Sequence, residues 1–197
     1  MTVEERTREV HPLTLFAPEG ARLLMLGSFP PPRERWRMDF FYPNFQNDMW
    51  RIFGLVFFGD KSHFLTDDGR AFREVELRRF LTERGIAIWD TAMEVSRLQG
   101  NASDKFLEVL RPIDLQQTLA MLPSCRAIAV TGQKALDTLL TLVAAPSTPK
   151  TGEWTDAALD DRHFRLYRMP SSSRAYPLSV EKKAEKYRRM FEEMGLK

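Results

Sequence analysis

Residues 22–50 read RLLMLGSFPPPRERWRMDFFYPNFQNDMW, and the rest of the chain is organised around this stretch. It opens with an almost continuous apolar run that a glycine stops at position 27, which is typical of a buried strand in a parallel sheet. A loop rich in proline and aromatic residues then leads to Gln46-Asn47, where an apolar helical pattern begins. This arrangement predicts a pocket in which aromatic side chains grip a flat ligand and amide groups do the polar work.

Three more apolar runs, at 86–89, 126–130 and 163–169, have the pattern of short strands that end in turn residues. Helical patterns separate them, and a long helix capped by Ser179 follows the last one. Strands that alternate with helices indicate parallel crossovers. We therefore predict an α/β fold, a three-layer α/β/α sandwich whose mainly parallel central sheet has about four strands.

Apolar faces and capping residues predict helices at 48–58, 71–84, 114–121, 133–143 and from 180 onward. In the second helix, Val75 is expected to point inward. Residues 92–112 are predicted to form a surface excursion near the carboxyl edge of the sheet, with loop chemistry at 100–104. Residues 144–161 are predicted to be an exposed loop or hairpin with Trp154 as its anchor.

The chain has 197 residues, 43% hydrophobic and 28% charged, which is enough for one substantial core. We expect a single domain over 1–197, with a flexible or edge-paired segment at 1–10. The net charge of +2 permits a nucleic-acid partner but does not argue for one. A single cysteine, Cys125, and the lack of a membrane-length apolar run favour a cytoplasmic protein with no membrane partner.

Several classes of enzyme are disfavoured by what the predicted strand ends contain. His11, His63 and His163 are scattered and are expected to be ordinary surface or strand residues, so no metal site is predicted. Gly27-Ser28 lacks the glycine pattern of a nucleophile elbow, which counts against a Ser-His-Asp hydrolase. Glycine-rich phosphate loops are absent from the sequence, which counts against enzymes that bind nucleoside triphosphates or dinucleotides.

The chemistry that remains needs neither a strong acid–base pair nor a cofactor. Cleavage of a base from a deoxyribose is such a reaction, because its transition state resembles an oxocarbenium ion and the base leaves as an anion. Backbone amides can stabilise that anion, and an amide side chain can orient water. Asn47, at a helix start behind an aromatic loop, suits the second task.

An ordered set of motifs resembles the hypoxanthine-DNA glycosylase branch of the uracil-DNA glycosylase superfamily. The motifs are LGSFP at 26–30, FYPNFQNDMW at 41–50, IWD at 88–90, GQKA at 132–135 and MPSSS at 169–173. Together they span about residues 23–175, which is most of the chain. Any one of them is weak, but their order is fairly specific for the superfamily.

The resemblance implies a DNA-repair enzyme that flips a deaminated base, uracil or hypoxanthine, out of DNA and hydrolyses its N-glycosidic bond without metal or cofactor. Asn47 matches the family's catalytic asparagine and would hold the attacking water, and Phe41 would stack on the base. The implied base pocket consists of Gly27, Ser28, Phe29, Pro30, Phe41, Tyr42 and Thr131. The implied DNA contacts are Ser171, Ser172, Ser173 and Arg174, and Asp90 and Gln46 are secondary candidates. The partner would be DNA containing deaminated or damaged bases, bound by a monomer.

The chain departs from the family pattern at three places. Asn44-Phe45 stands where the family has His-Pro, Thr131 where relatives carry asparagine, and Arg174-Ala175-Tyr176 where the family tends to Pro-Ala-Asn. We expect these departures to alter the choice of base.

Each candidate residue also has a purely structural interpretation. Asn47 could only cap its helix, Phe41 could pack beneath the loop, and Asp90 could end its strand. The serines at 171–173 could form a solvated turn, and Lys182-Lys183 is expected on a solvated helix face. Two other functions stay open: a catalytically silent nucleic-acid- or ligand-binding protein with this fold, and a small-molecule nucleoside hydrolase.

Overall fold

The computed structural model describes residues 8–98 and 104–197. Its strands are β1 (Arg8–Val10), β2 (Leu23–Gly27), β3 (Ile86–Asp90), β4 (Ala92–Arg97), β5 (Leu107–Pro112), β6 (Ala127–Thr131), β7 (Trp154–Leu159) and β8 (Arg162–Met169). Its helices are α1 (Met49–Phe58), α2 (Glu74–Arg84), α3 (Leu115–Ala120), α4 (Gln133–Leu140) and α5 (Val180–Glu193). The expected flexibility of residues 1–7 and the predicted loop at 100–103 lie outside the described residues.

The larger sheet confirms the predicted α/β class but not the predicted number of strands. Its order is β3-β2-β6-β8-β7, so it has five strands and not about four. The first four are parallel to one another, and β7 is an antiparallel edge strand paired with β8. Every residue of β2, β3 and β6 is buried, because both faces of a parallel sheet are covered.

The strand β7 forms one arm of a hairpin, which was one of the two alternatives predicted for residues 144–161. Its Thr155 and Ala157 are buried, while Trp154 and Asp156 are exposed. Trp154 remains 39% exposed, and the Arg165 guanidinium of β8 covers its ring at 4.4 Å. Because the segment is rich in Thr and Asp, its sequence did not reveal that buried and exposed residues alternate along it.

A second, antiparallel sheet with the order β1-β4-β5 stands where the sequence predicted a surface excursion. Ala92, Val95 and Leu107 form a small apolar cluster of its own, against which Phe29 packs. The excursion is therefore ordered structure with a buried side. At its edge, Arg8–Val10 pairs with residues 94–96 of β4.

The helix ends follow the capping residues that the sequence contains. Asp114 accepts a hydrogen bond from the Gln117 amide at 2.9 Å, and Ser179 accepts one from the Lys182 amide at 3.3 Å. The helix α2 begins at Glu74, three residues later than predicted, and Val75 is 82% exposed, so its predicted inward position was wrong. Among the helices of the described residues, none is long and apolar enough to cross a membrane.

Candidate active site

A cleft of about 640 Å³ opens at the carboxyl ends of β2, β3, β6 and β8. These ends share one edge because the strands run parallel. The cleft is lined by all of the residues singled out from the sequence: Gly27, Ser28, Phe29, Pro30, Phe41, Tyr42, Gln46, Asn47, Asp90, Thr131, Ser171, Ser172, Ser173 and Arg174. Topology thus brings together residues that are up to 147 positions apart.

The floor of the cleft is formed at Gly27, a residue that has no side chain. Gly27 lies opposite Asp90 in the pairing of β2 with β3. A Cβ atom on Gly27 would stand 2.5 Å from Asp90 Oδ1 and 3.2 Å from the Tyr42 hydroxyl. Only glycine therefore allows these two polar groups to approach the strand end.

Tyr42 contributes a neutral hydroxyl to the same floor. Its hydroxyl lies 2.8 Å from Thr131 Oγ1, which joins the aromatic loop to the end of β6. Burial, and the negative charge of Asp90, raise the pKa of the phenol well above its ordinary value. Tyr42 therefore keeps its proton. Its backbone has a φ of 51°, which is in the left-handed region.

The Asp90 carboxylate is held by a residue that the sequence did not identify, His11. His11 Nε2 lies 2.8 Å from Asp90 Oδ2, and the two side chains are 3% and 8% exposed. A carboxylate only accepts, so Nε2 carries the proton. Nδ1 lies 3.2 Å from the amide nitrogen of Leu13 and 3.3 Å from its carbonyl oxygen, so it has a partner whether the ring is neutral or protonated.

The prediction that His11 is an ordinary surface or strand residue was therefore wrong. The segment that carries His11 runs alongside the sheet: the His11 amide donates to Met93 O, and Phe16 exchanges hydrogen bonds with Ile88. The His11 ring packs against Trp89, with 4.5 Å between centroids. These are contacts between distant parts of the chain, and no local pattern in the sequence predicts them.

Asp104 is a second carboxyl group at the cleft that the sequence did not single out. The Ser28 hydroxyl donates to Asp104 Oδ1 at 2.8 Å. Burial raises the pKa of the Asp104 carboxyl, and the negative charge of Asp90 adds to the increase, while the hydrogen bond from Ser28 lowers it. The inner part of the cleft thus holds two neighbouring carboxyl groups.

Asn47 lines the cleft and also stabilises the start of α1. Its Oδ1 accepts a hydrogen bond from the Met49 amide at 2.9 Å, so the capping interpretation describes part of what it does. A carboxamide oxygen has a second lone pair, and the amide nitrogen has two protons, so capping does not use up the group. Both interpretations are compatible in this structure.

The loop of Asn47 is joined to the serine loop by the backbone. Asn47 and Ser173 form an isolated β-bridge, and the Asp48 amide donates to Ser172 O at 2.8 Å. Ser172 is only 3% exposed, so it is directed away from solvent. The two predicted parts of the site, the water-holding loop and the DNA-contacting loop, therefore form one connected wall.

The Ser171 and Ser173 hydroxyls stabilise the turn in which they stand. Ser171 Oγ accepts from the Ser173 amide, and Ser173 Oγ accepts from the Ala175 amide, both at 3.2 Å. A hydroxyl that accepts in this way keeps its own proton for another acceptor. The turn interpretation thus holds, and both hydroxyls can still donate to a ligand in the cleft.

A cluster of four charged side chains lies behind this wall, and all of them except Arg174 are buried. Asp48, 7% exposed, is approached by Arg174 Nε at 3.2 Å, by Lys183 Nζ at 3.4 Å and by Arg51 at 3.9 Å. Lys183 has no exposed surface and also donates to Ser173 O at 2.8 Å. Its predicted place on a solvated helix face was wrong, because it lies one turn after Val180 and next to Ala184 on the buried stripe of α5.

Arg174 and Phe41 are placed differently from what their predicted roles suggest. Arg174, with a side chain 45% exposed, also donates from Nη1 to Gln46 Oε1 at 2.8 Å, so it connects two loops. Phe41 is 3% exposed and packs edge-on against Trp89, so it supports the floor. Phe29 is the more accessible of the two pocket phenylalanines.

The charges of the cleft are separated by depth. The exposed cations Arg35 and Lys105, together with Arg174, line it, while Asp90 and Asp104 lie within. In the described parts of the chain, no group of three or more histidine, cysteine, aspartate or glutamate residues is arranged as a metal site would require. The functional groups that the cleft presents are hydroxyls, amides, carboxyls and cations.

Comparison with known proteins supports the fold. No protein-family model and no curated protein sequence matches the chain. Among solved structures, it is similar to the solution NMR structure of a "putative Uracil DNA glycosylase" from Methanosarcina acetivorans, with a TM-score of 0.63 and 22% identical residues. The similarity covers 94% of this chain and 99% of that one. The two proteins share a fold over nearly their whole length.

Proposed function

We propose that the chain is a DNA glycosylase that removes a deaminated base, uracil or hypoxanthine, by hydrolysing its N-glycosidic bond without metal or cofactor. The observation that carries the proposal is the single wall formed by the Asn47 and Ser173 loops in a cleft of about 640 Å³. A cleft of this size is typical of small-ligand pockets, and a flipped base is such a ligand. The fold shared with the Methanosarcina acetivorans protein supports it, and so does the resemblance of the motifs at 26–30, 41–50 and 169–173 to those of the hypoxanthine-DNA glycosylase branch.

In the proposed reaction, the bond between the base and C1′ breaks with its electron pair leaving on the base, water adds to the resulting oxocarbenium-like centre, and the proton that this water loses neutralises the base anion. Asn47 orients this water through the lone pair and the amide protons that its bond to Met49 leaves free. The backbone at Gly27 and Ser28 faces the departing base, where fixed dipoles stabilise developing negative charge. Tyr42 stays protonated beside it.

The DNA strand is proposed to follow the rim of the cleft. Arg35, Lys105 and Arg174 supply positive charge there, and the Ser171 and Ser173 hydroxyls can donate to phosphate oxygens. Carboxyl groups inside and cations at the rim suit a substrate whose phosphates stay outside while its base enters. Binding through these cations accounts for a DNA partner even though the net charge of the chain is only +2.

A lesion assay tests this function directly. The purified protein is incubated with duplex and single-stranded oligonucleotides that carry uracil, hypoxanthine or xanthine, and abasic sites are then cleaved in alkali. We expect strand cleavage at uracil or hypoxanthine and none in matched undamaged DNA. Cleavage no higher than background on every lesion would rule out the glycosylase proposal.

A second candidate is a nucleic-acid-binding protein that has this fold and no catalytic activity. It is favoured by three contacts: Asn47 Oδ1 already caps α1, and Arg174 already pairs with both Asp48 and Gln46. This candidate predicts that lesion-containing DNA is bound in preference to undamaged DNA and is not cleaved. Gel-shift and cleavage assays on the same oligonucleotides separate the two functions.

A further inference from the structure

At the floor of the cleft, one oxygen of the Asp90 carboxylate has a hydrogen-bond partner, and the other has none among the described residues. Asp90 Oδ2 is bound by His11, whereas the hydrogen bonds among the described residues leave Oδ1 without a donor. Oδ1 stands 2.5 Å from the point where a Cβ of Gly27 would be, and the Tyr42 hydroxyl stands 3.2 Å from the same point. An acceptor and a protonated hydroxyl are therefore neighbours over the end of β2.

A ligand that fits this pair has an N–H group beside a carbonyl oxygen. The N–H donates to Asp90 Oδ1, and the carbonyl accepts from the Tyr42 hydroxyl when Thr131 turns its proton from Leu26 O, 3.4 Å away, to the Tyr42 oxygen. Burying a carboxylate is costly in free energy unless its oxygens receive hydrogen bonds. A ligand N–H therefore binds favourably to Asp90 Oδ1, whereas the lone pair of a ligand ring nitrogen is repelled by it.

We infer that Asp90, positioned by His11, selects bases that carry the lactam edge, O=C–N–H, and rejects bases that present a bare ring nitrogen there. This inference rests on the proposed function and deepens it. Deamination creates this edge, since the ring nitrogen next to the amino carbon of cytosine or adenine is an acceptor that becomes N–H in uracil or hypoxanthine. Guanine and thymine have the same edge, so Asp90 separates deaminated bases from cytosine and adenine and not from guanine or thymine.

His11 is the positioning residue in this scheme. Its contact with Oδ2 fixes the direction of the carboxylate, and its ring is itself fixed by Leu13 and Trp89. Because the His11 side chain is only 3% exposed, it does not reach the ligand. Its effect on selectivity passes through Asp90 alone.

Two small ligands test the inference without DNA and without catalysis. 1-Methyluracil has the N3–H group and 1,3-dimethyluracil lacks it, while the rest of the ring is the same. Ligand-detected NMR titration of the full chain should show 1-methyluracil binding at least about tenfold more tightly, as expected for a hydrogen bond to a charged group. Equal affinities, or binding of neither ligand, would overturn the inference.

Variants assign the preference to Asp90 and His11. Asp90→Ala should lose it, because this variant removes the oxygen that accepts from the ligand N–H. His11→Phe keeps the ring volume, removes the donor and should also lose it, whereas His11→Gln retains an amide donor and should restore it. A preference that survives Asp90→Ala, or its loss in His11→Gln as well as in His11→Phe, would contradict these roles. Melting curves check that each variant folds, and the wild-type titration decides the inference if one does not.

The two proposals fail in different ways. If the protein prefers 1-methyluracil but cleaves no lesion, the selective pocket is supported and the glycosylase function is ruled out. If the protein cleaves uracil-containing DNA but binds both ligands equally, the glycosylase function is supported and the proposed role of Asp90 is ruled out.

Discussion

Lys183 Nζ lies 3.4 Å from Asp48 Oδ2, and the two side chains are 0% and 9% exposed. This ion pair connects α5 to the residue that follows Asn47, and Lys183 also donates to Ser173 O. One buried ammonium group therefore holds both loops of the connected wall. The architecture of the site and the stability of the fold depend on the same contact.

Replacing Lys183 with methionine should lower the free energy of unfolding by about 3 kcal/mol, because it leaves the Asp48 carboxylate buried with fewer partners. Lys182→Met, at the exposed neighbouring position, is the matched control and should change stability by no more than about 0.5 kcal/mol. Urea unfolding measures both. Similar values for the two variants would show that the ion pair contributes little.

Asn47→Ala should lower lesion cleavage at least about 100-fold if Asn47 orients the attacking water. It should also cost about 1 kcal/mol of stability, since Met49 loses its capping acceptor. Asn47→Asp keeps that acceptor and separates the two effects: we expect full stability with reduced cleavage. Single-turnover rates and thermal melting provide the readouts, and unchanged cleavage in Asn47→Ala would remove the catalytic role.

Gly27→Ala should destabilise the protein by about 1–3 kcal/mol and impair the binding of 1-methyluracil, because the new methyl group collides with Asp90 Oδ1. In the double variant with Asp90→Ala, the collision partner is gone. The stability cost of Gly27→Ala should then shrink by at least about 0.5 kcal/mol. Strict additivity of the two costs would contradict the contact.

Lys105→Gln should weaken DNA binding about equally for all sequences and reduce the slope of log K against log salt by about 1, as expected for the loss of one phosphate contact. Arg189→Gln is the control, because Arg189 pairs with Glu193 on α5 and does not line the cleft. Fluorescence anisotropy at several salt concentrations gives the slopes. A flat salt response in the wild-type protein would count against a DNA partner altogether.

Asp104 gives the stability a pH dependence of definite sign. Its pKa is raised in the folded state, chiefly by burial, so the folded protein binds its proton more tightly than the unfolded chain does. Stability from this group is present below the ordinary pKa of an aspartate and is lost as the pH rises through the raised value. Relative to Asp104→Asn, the wild-type protein should therefore lose stability as the pH rises from the ordinary pKa of an aspartate through the raised pKa of Asp104.

Ser28→Ala should steepen this dependence, because it removes the hydrogen bond that lowers the pKa of Asp104. Unfolding free energies at a series of pH values provide the test. A difference between wild type and Asp104→Asn that does not change with pH would show that the carboxyl does not titrate abnormally.

The sequence was sufficient for the parallel sheet and for the position of the cleft. The parallel strands are short apolar runs that end in turn residues, as at Gly27 and Asp90, and parallel strands place those ends at one edge. The antiparallel strands were harder to recognise, because β7, β4 and β5 mix polar and apolar residues. Their pairing partners, rather than their composition, make them strands.

Within the site, the sequence revealed residues on strand-end loops and missed those that arrive from elsewhere. His11 reaches Asp90 only because its segment runs alongside the sheet. Lys183 could have been identified as buried from its spacing with Val180, Ala184 and Tyr187, but its charge favoured a solvated assignment. Local patterns therefore predicted the walls of the cleft better than the contacts that hold them in place.

The contact between His11 and Asp90 also limits how the protein can be shortened. A form trimmed to begin after residue 11 would retain the whole parallel sheet, every strand-end loop and all of the helices. It would nevertheless leave the Asp90 carboxylate without the donor on Oδ2 and open a hole beside Trp89. Such a trimmed protein could fold and melt normally, although the Asp90 carboxylate at the floor of its pocket would no longer be held in one direction.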